Sequence, residues 1–226
     1  VRRAGTAHAT PELTRLLDAV PRRHTNRRPF TDAAVTDAER YALCRAAADE
    51  GALLQVVPPA LRAEVGRLSV AAHRRQLADP AFREELLHWT GAEADRPDGV
   101  PARAAGPAPA PHDRWVVRDF TGGTARERAP GRDAEEEPVL ALLIPHVTGP
   151  AAEVHAGEAM QRVLLTATTE GLAVSFLSQL VEVPDVRDEL RRLVRAVHPP
   201  VAVLRIGRGW PATRTPRRPL ADLIRP

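Results

Sequence analysis

Six consecutive apolar residues, Val139-Leu140-Ala141-Leu142-Leu143-Ile144, leave a β-strand with no face for water. Such a strand belongs inside a sheet that is covered on both sides. The chain must therefore provide two covering layers, and its remaining periodic segments are helical. Val201-Ala202-Val203-Leu204-Arg205-Ile206-Gly207 reads as a second core strand, and Leu53–Val57, closed by Pro58-Pro59, as a shorter third. Thr10-Pro11-Glu12 starts a helix with an N-cap hydroxyl and a proline at the first helical position, running to about Val20. Thr36 and Glu39 have capping-box spacing and start a second helix, which carries Leu43, Cys44 and Ala47 and stops at Gly51. Pro59 to Leu77 is amphipathic, with Leu61, Val65, Leu68 and Ala72 at helical spacing. Asp79-Pro80 opens a further helix whose apolar face is Phe82, Leu86, Leu87 and Trp89. The strongest helix runs from about Ala151 to Thr169, lined by Ala159, Met160, Val163, Leu164 and Ala167, with Gly171 to terminate it. Pro184-Asp185 begins another, which Pro199-Pro200 ends, and a last helical turn runs from Leu220 to Ile224.

Between these elements the chain changes character. Prolines, glycines and alanines dominate from Gly91 to Pro111, and Gly122 to Glu137 is again loop, ending in the acidic run Glu135-Glu136-Glu137. Trp115–Phe120 reads as a short strand or an aromatic anchor inside this excursion, and long loops in compact domains are often binding lids. Ala173 to Leu180 is a short segment of mixed polarity. The single cysteine, Cys44, excludes an internal disulfide and reads as a buried inert thiol. His73 and His88 have no carboxylates at ligand spacing and read as structural or solvent-facing. No apolar run reaches 18 residues and no signal-peptide pattern opens the chain, so the expectation is a cytoplasmic protein without a membrane partner.

Two arginine clusters remain. All 32 Lys+Arg residues of the 226 are arginine, a composition that follows GC-rich coding, and the net charge is only +3. Arginine count is thus weak ground for a nucleic-acid partner, and none is expected. The clusters are local: Arg22-Arg23-His24-Thr25-Asn26-Arg27-Arg28 near the start, and Arg214 to Arg218 near the end. Guanidinium forks fit a phosphate bidentately, and Thr and Asn add neutral hydrogen bonds. Gly-x-Gly-x-x-Gly and Walker patterns are absent. If the fold brings the two ends together, they form a pocket for a doubly charged phosphate; the alternative is a pair of solvated basic turns.

Arg23-His24-Thr25-Asn26-Arg27 followed by Pro29-Phe30 resembles the N-terminal flavin-binding signature of the nitroreductase family: a basic residue, Arg, His or Arg, Ser or Thr, any residue, then Arg or Lys. Arg205-Ile206-Gly207 with Arg217-Arg218-Pro219-Leu220 is similar to that family's last strand and closing arginine, and Gly157–Ala167 with Gly171-Leu172 to its central helix. The nearest branch is the Acg-type FMN-binding group, in which two nitroreductase-like halves are fused. The resemblance implies an α+β fold, a central mainly antiparallel sheet flanked by helices, as a single domain over residues 1–226 with a flexible loop or lid at about 91–137. It implies a dimer, FMN and NAD(P)H as cofactors, and hydride transfer to a small-molecule substrate. By the family pattern Arg23 and Arg217 or Arg218 grip the FMN phosphate within a signature that includes His24. Thr25 bonds the phosphate or ribityl chain, and Arg27 lies by the pyrimidine edge, where a fixed cation raises the reduction potential. Backbone donors of Leu177-Ser178-Gln179 face flavin N5, which makes Ser178 a candidate site residue; no protein nucleophile is needed.

One departure is specific. Homodimeric members carry a Ser-x-x-Asn-x-Gln-Pro-Trp-like segment before the first strand, and the equivalent stretch here reads Ala46-Ala47-Ala48-Asp49-Glu50-Gly51-Ala52-Leu53-Leu54-Gln55. The chain then corresponds to the second half of the fused branch. This implies a homodimer with incomplete sites, a heterodimer with another chain, or a degenerate, non-catalytic subunit that sequesters FMN.

Overall fold

A computed structural model describes residues 8–92, 96–110, 113–123 and 138–224. The sheet holds four strands: β1 (Ala52–Val56), β4 (Val139–Pro145), β5 (Ala173–Phe176) and β6 (Ala202–Gly207), in the order β1-β4-β6-β5. Every neighbouring pair is antiparallel. A separate, small parallel pair joins β2 (Thr90–Ala92) to β3 (Val100–Pro101). Among the described residues, seven α-helices surround them: α1 (Pro11–Ala19), α2 (Asp37–Ala48), α3 (Pro59–Ala78), α4 (Pro80–Trp89), α5 (Pro150–Thr169), α6 (Gln179–Glu182) and α7 (Pro184–Leu193).

All seven residues of β4 are buried, and they divide between two cores as the two-residue strand period dictates. Val139, Ala141 and Leu143 join Leu43, Ala47, Val163 and Ala167 under α2 and α5. Leu140, Leu142 and Ile144 join Val65, Leu68, Leu180 and Leu190 under α3, α6 and α7. The sheet is therefore the middle layer of three. Outside it, α1 adds a further layer on α5 through Leu16, Ala19 and Leu165.

Local signals set the helix starts. The Thr10 hydroxyl accepts from the Leu13 amide at 3.2 Å. Thr36 and Glu39 form both halves of their capping box, the Thr36 amide donating to Glu39 Oε2 at 2.8 Å. Gly171 adopts φ 69°, as the turn out of α5 requires.

Two open readings resolve and one expectation, for Cys44, needs correction. Residues 173–180 form strand β5 followed by α6, and β5 exists because its backbone completes the ladder of β6, with Ala173 opposite Gly207 and Phe176 opposite Leu204. Trp115–Phe120 is not a strand; Trp115 is an anchor, buried against α3 at Gly66, where an added Cβ would lie 3.6 Å from its ring. Cys44 is only partly buried, its thiol pointing to the Leu54 carbonyl at 3.4 Å, and burial raises its pKa. His73 is half-buried on α3, and burial followed by the Arg118 charge lowers its pKa, while His88 is exposed. Within the excursion, the described residues include β2, β3, a 3-10 turn at Ala102–Ala104 and buried Ala105 and Thr121. The acidic run Glu135–Glu137 lies outside the described residues. Among the described residues no helix is long and apolar enough to cross a membrane.

Candidate anion and cofactor site

The arginine segment after α1 is fastened to one end of the β5–β6 ladder, at the start of β5 and the exit of β6. Thr25 forms a parallel bridge with Val174, and the Asn26 amide donates to the Val174 carbonyl at 2.9 Å. Phe30 bridges Gly209, and the Thr31 amide donates to the Arg208 carbonyl at 2.7 Å. Asn26, 3% exposed, ties these contacts together. Its Nδ2 donates to the Trp210 carbonyl at 2.8 Å, while its Oδ1 accepts from the Arg28 amide at 3.0 Å. Arg28 reaches the Pro211 carbonyl at 2.9 Å and Arg214 the Pro21 carbonyl at 2.6 Å. Residues 21–28 and 210–214 thus run side by side.

Close approach of the Phe30 and Asn26 side chains makes two glycines necessary. A Cβ at Gly207 would meet Phe30 Cδ2 at 2.7 Å, and one at Gly209 would meet Asn26 Nδ2 at 2.3 Å. Below Phe30 lies Arg205, 1% exposed, with its guanidinium 4.2 Å from the ring centroid and Nη2 donating to the Arg28 carbonyl at 2.8 Å. A buried arginine in a core strand supports the segment from beneath.

This geometry brings Arg23, Arg27 and Arg217 together. Burial and then the Arg217 charge lower the pKa of Arg23. The same two causes, in the same order, bring Arg27 down to about 10. Among the described residues none of the three has a carboxylate partner; Arg217 donates to the Thr215 hydroxyl at 2.7 Å, and Arg27 lies 4.9 Å from the Phe120 ring centroid. Like charges held together without a counter-charge disfavour the charged state, and an anion reverses that cost. Arg218 points elsewhere: it pairs with Asp98, whose pKa is lowered by hydrogen bonds from Arg218 and Arg96. Of the two closing arginines, Arg217 is therefore the one beside Arg23.

A cleft of about 170 Å³ adjoins Arg27. Thr25 and Arg27 line it together with Trp115, Arg118, Phe120 and the Ser175–Gln179 segment. Ser178 is on this wall, but the neighbouring Leu177 amide is already committed to the Val203 carbonyl at 2.9 Å, so it is not an available donor. His24 is half-buried, with Nδ1 2.9 Å from the Arg22 carbonyl, a contact that braces the loop. His24 and Ser178 thus sit near the arginines without joining them.

Sequence reasoning took Asn26 only as a neutral donor within the basic run and did not single out Arg205 or Gly106 as site residues. Gly106, at φ 77°, packs against the backbone of Arg27; a Cβ there would meet the Arg27 carbonyl oxygen at 2.7 Å. Gly106→Ala is expected to displace Arg27 and cost about 1–3 kcal/mol through strain at this backbone conformation. Urea unfolding measures the cost, and a phosphate titration measures the accompanying loss of anion affinity.

No family model matches the chain. It is 29% identical over 212 residues to a Mycobacterium tuberculosis protein provisionally named NAD(P)H nitroreductase Acg, covering 92% of this chain and 63% of the relative. A second protein of that organism, with the same kind of provisional name, is 30% identical over 216 residues, covering 92% and 61%. The chain thus spans less than two thirds of the length of these curated relatives. Among solved structures, it is similar to the FMN-dependent nitroreductase NfnB of Mycobacterium smegmatis in complex with NADPH, with TM-score 0.58 and 17% identity over 94% of this chain and 97% of that one. It is also similar to an FMN-bound nitroreductase of Desulfitobacterium hafniense, with TM-score 0.56 and 17% identity over 93% and 97%. A four-stranded antiparallel sheet between two helical layers is in this chain the nitroreductase fold.

Proposed function

We propose that the chain works as an FMN-dependent NAD(P)H oxidoreductase of the nitroreductase type, acting on a small-molecule acceptor. The observation that carries this reading is the convergence of Arg23, Arg27 and Arg217 beside a cleft, with no carboxylate among the described residues to neutralise them. That donor set fits a phosphate dianion. Arg23 and Arg217 would hold the FMN phosphate, with Thr25 as a neutral donor to it or to the ribityl chain. Arg27 would place a fixed cation by the pyrimidine edge of the flavin. When bound, FMN would supply hydride transfer between NAD(P)H and the acceptor. This chain's residues would anchor and orient the cofactor, with Trp115 and Phe120 forming part of the cleft wall.

The cleft is smaller than the roughly 300–1,000 Å³ of a usual ligand pocket. A second chain, either another copy or a different polypeptide, would complete it. The stretch 46–55 cannot supply the missing polar groups from within, because Ala46, Ala47, Ala52 and Leu54 are core residues. That same observation favours a second reading, in which the subunit holds FMN without turning over.

One experiment separates the readings. Protein loaded with FMN is mixed anaerobically with NADPH while the visible flavin absorbance is followed. Bleaching supports the oxidoreductase, stable yellow protein supports the sequestering subunit, and protein that binds no added FMN contradicts both.

A further inference from the structure

Helix α4 is anomalous: it carries a good apolar stripe, yet none of its ten residues is buried. Phe82, Leu86 and Trp89 fall on one face at helical spacing, and that face lines a cavity of about 610 Å³ closed on the other side by Val183 and Pro184. The cavity shares only the wall formed by Arg118 and Phe120 with the cleft described above. An apolar face directed at open volume and not at core is what a ligand site looks like.

Charge identifies the ligand. The lining holds two guanidiniums, and both are already paired: Arg118 with Glu182 at 2.9 Å and Arg75 with Asp185. Of the lining carboxylates, Glu85 has no ion pair or hydrogen bond among the described residues, and it lies on the same face of α4 as Phe82 and Trp89. Each ring already engages one guanidinium, the kind of contact a ligand cation would make on the remaining face: Arg96 lies 5.2 Å from the Trp89 centroid and Arg118 5.2 Å from that of Phe82. An anion entering here meets guanidiniums whose charge is already matched by Glu182 and Asp185, with only Arg118 Nε lacking a hydrogen-bond partner. A neutral hydrocarbon would strip water from Glu85 without replacing it.

We infer that this cavity is a second ligand site, for a planar aromatic cation that stacks on Trp89 and Phe82 and places its charge by Glu85. The binding needs no flavin, so its test is independent of the function proposed above. N-methylquinolinium, quinoline (neutral above its pKa) and 2-naphthoate are titrated at pH 8 into the full chain, with calorimetry for affinity and the tryptophan indole N–H resonances for location. The cation is expected to bind roughly fivefold or more tighter than quinoline, with naphthoate weakest. Glu85→Gln, at an exposed position that leaves the fold intact, is expected to bring cation and neutral probe within about twofold of each other. Trp89→Leu keeps the apolar surface and is expected to lower affinity for the cation about threefold or more, with quinoline less affected. Equal binding of cation and quinoline, preference for naphthoate, or no binding by any of the three overturns the inference.

Discussion

Replacing Arg23 and Arg217 together by alanine is expected to weaken FMN binding by roughly two to four orders of magnitude, since hydrogen bonds to charged groups each contribute ~1.5–3 kcal/mol. The thermal midpoint of the ligand-free protein is expected to hold or rise in the single variant Arg217→Ala. The sign follows from the depressed proton affinities of Arg23 and Arg27: Arg217 is a like charge that destabilises both when no anion is present. Arg217 is also exposed, so its truncation opens no cavity. Fluorescence titration of FMN and a thermal melt on the same samples make the comparison. A variant that loses both binding and stability would show that these arginines support the fold and not a ligand. Arg218→Ala is the internal control, because that side chain is engaged with Asp98 and its loss should leave FMN affinity within about threefold of wild type.

The second large effect is structural. Asn26→Ala removes the donor to the Trp210 carbonyl and the acceptor for the Arg28 amide at a site 3% exposed. Each orphaned buried group costs about 1–3 kcal/mol, so a loss of about 2–6 kcal/mol in urea unfolding is expected. That is a large part of the 5–15 kcal/mol by which domains are typically stable. FMN affinity should fall with it, because Asn26 fixes the segment that carries Arg23 and Arg27 against the tail that carries Arg217. Arg22→Ala, a neighbour whose Nε donates to the Asp18 carbonyl at 3.1 Å on the exposed surface, should stay within about 0.5 kcal/mol of wild type.

The contrast between these residues shows what a sequence makes legible. Caps at Thr10 and Thr36, the buried strand at Val139–Ile144 and the glycine stop at Gly171 follow from neighbours a few positions away, and each lies where local chemistry puts it. Strand β5 did not announce itself because four residues containing Ser175 become a strand only through the ladder with β6. Asn26 reads as one more polar residue in a basic run, and its importance comes from Trp210, which the fold brings beside it. Arg205 looks out of place in a core strand until Phe30 is seen stacked over it. Sequence spacing could not choose between Arg217 and Arg218; Asp98, on a distant loop, takes the second and leaves the first for the site. Gly106 gave no signal within a loop of glycines, prolines and alanines, because its constraint is the backbone of Arg27.

The central claim is that guanidiniums from both ends of the chain form a site for a phosphate dianion attached to a flavin. Comparing FMN with riboflavin in equilibrium titrations tests it most directly, since the two differ only in the phosphate. The account predicts that FMN binds on the order of a hundredfold or more tighter than riboflavin, an advantage that shrinks as salt rises. Equal affinity for the two, unaffected by salt, would contradict it.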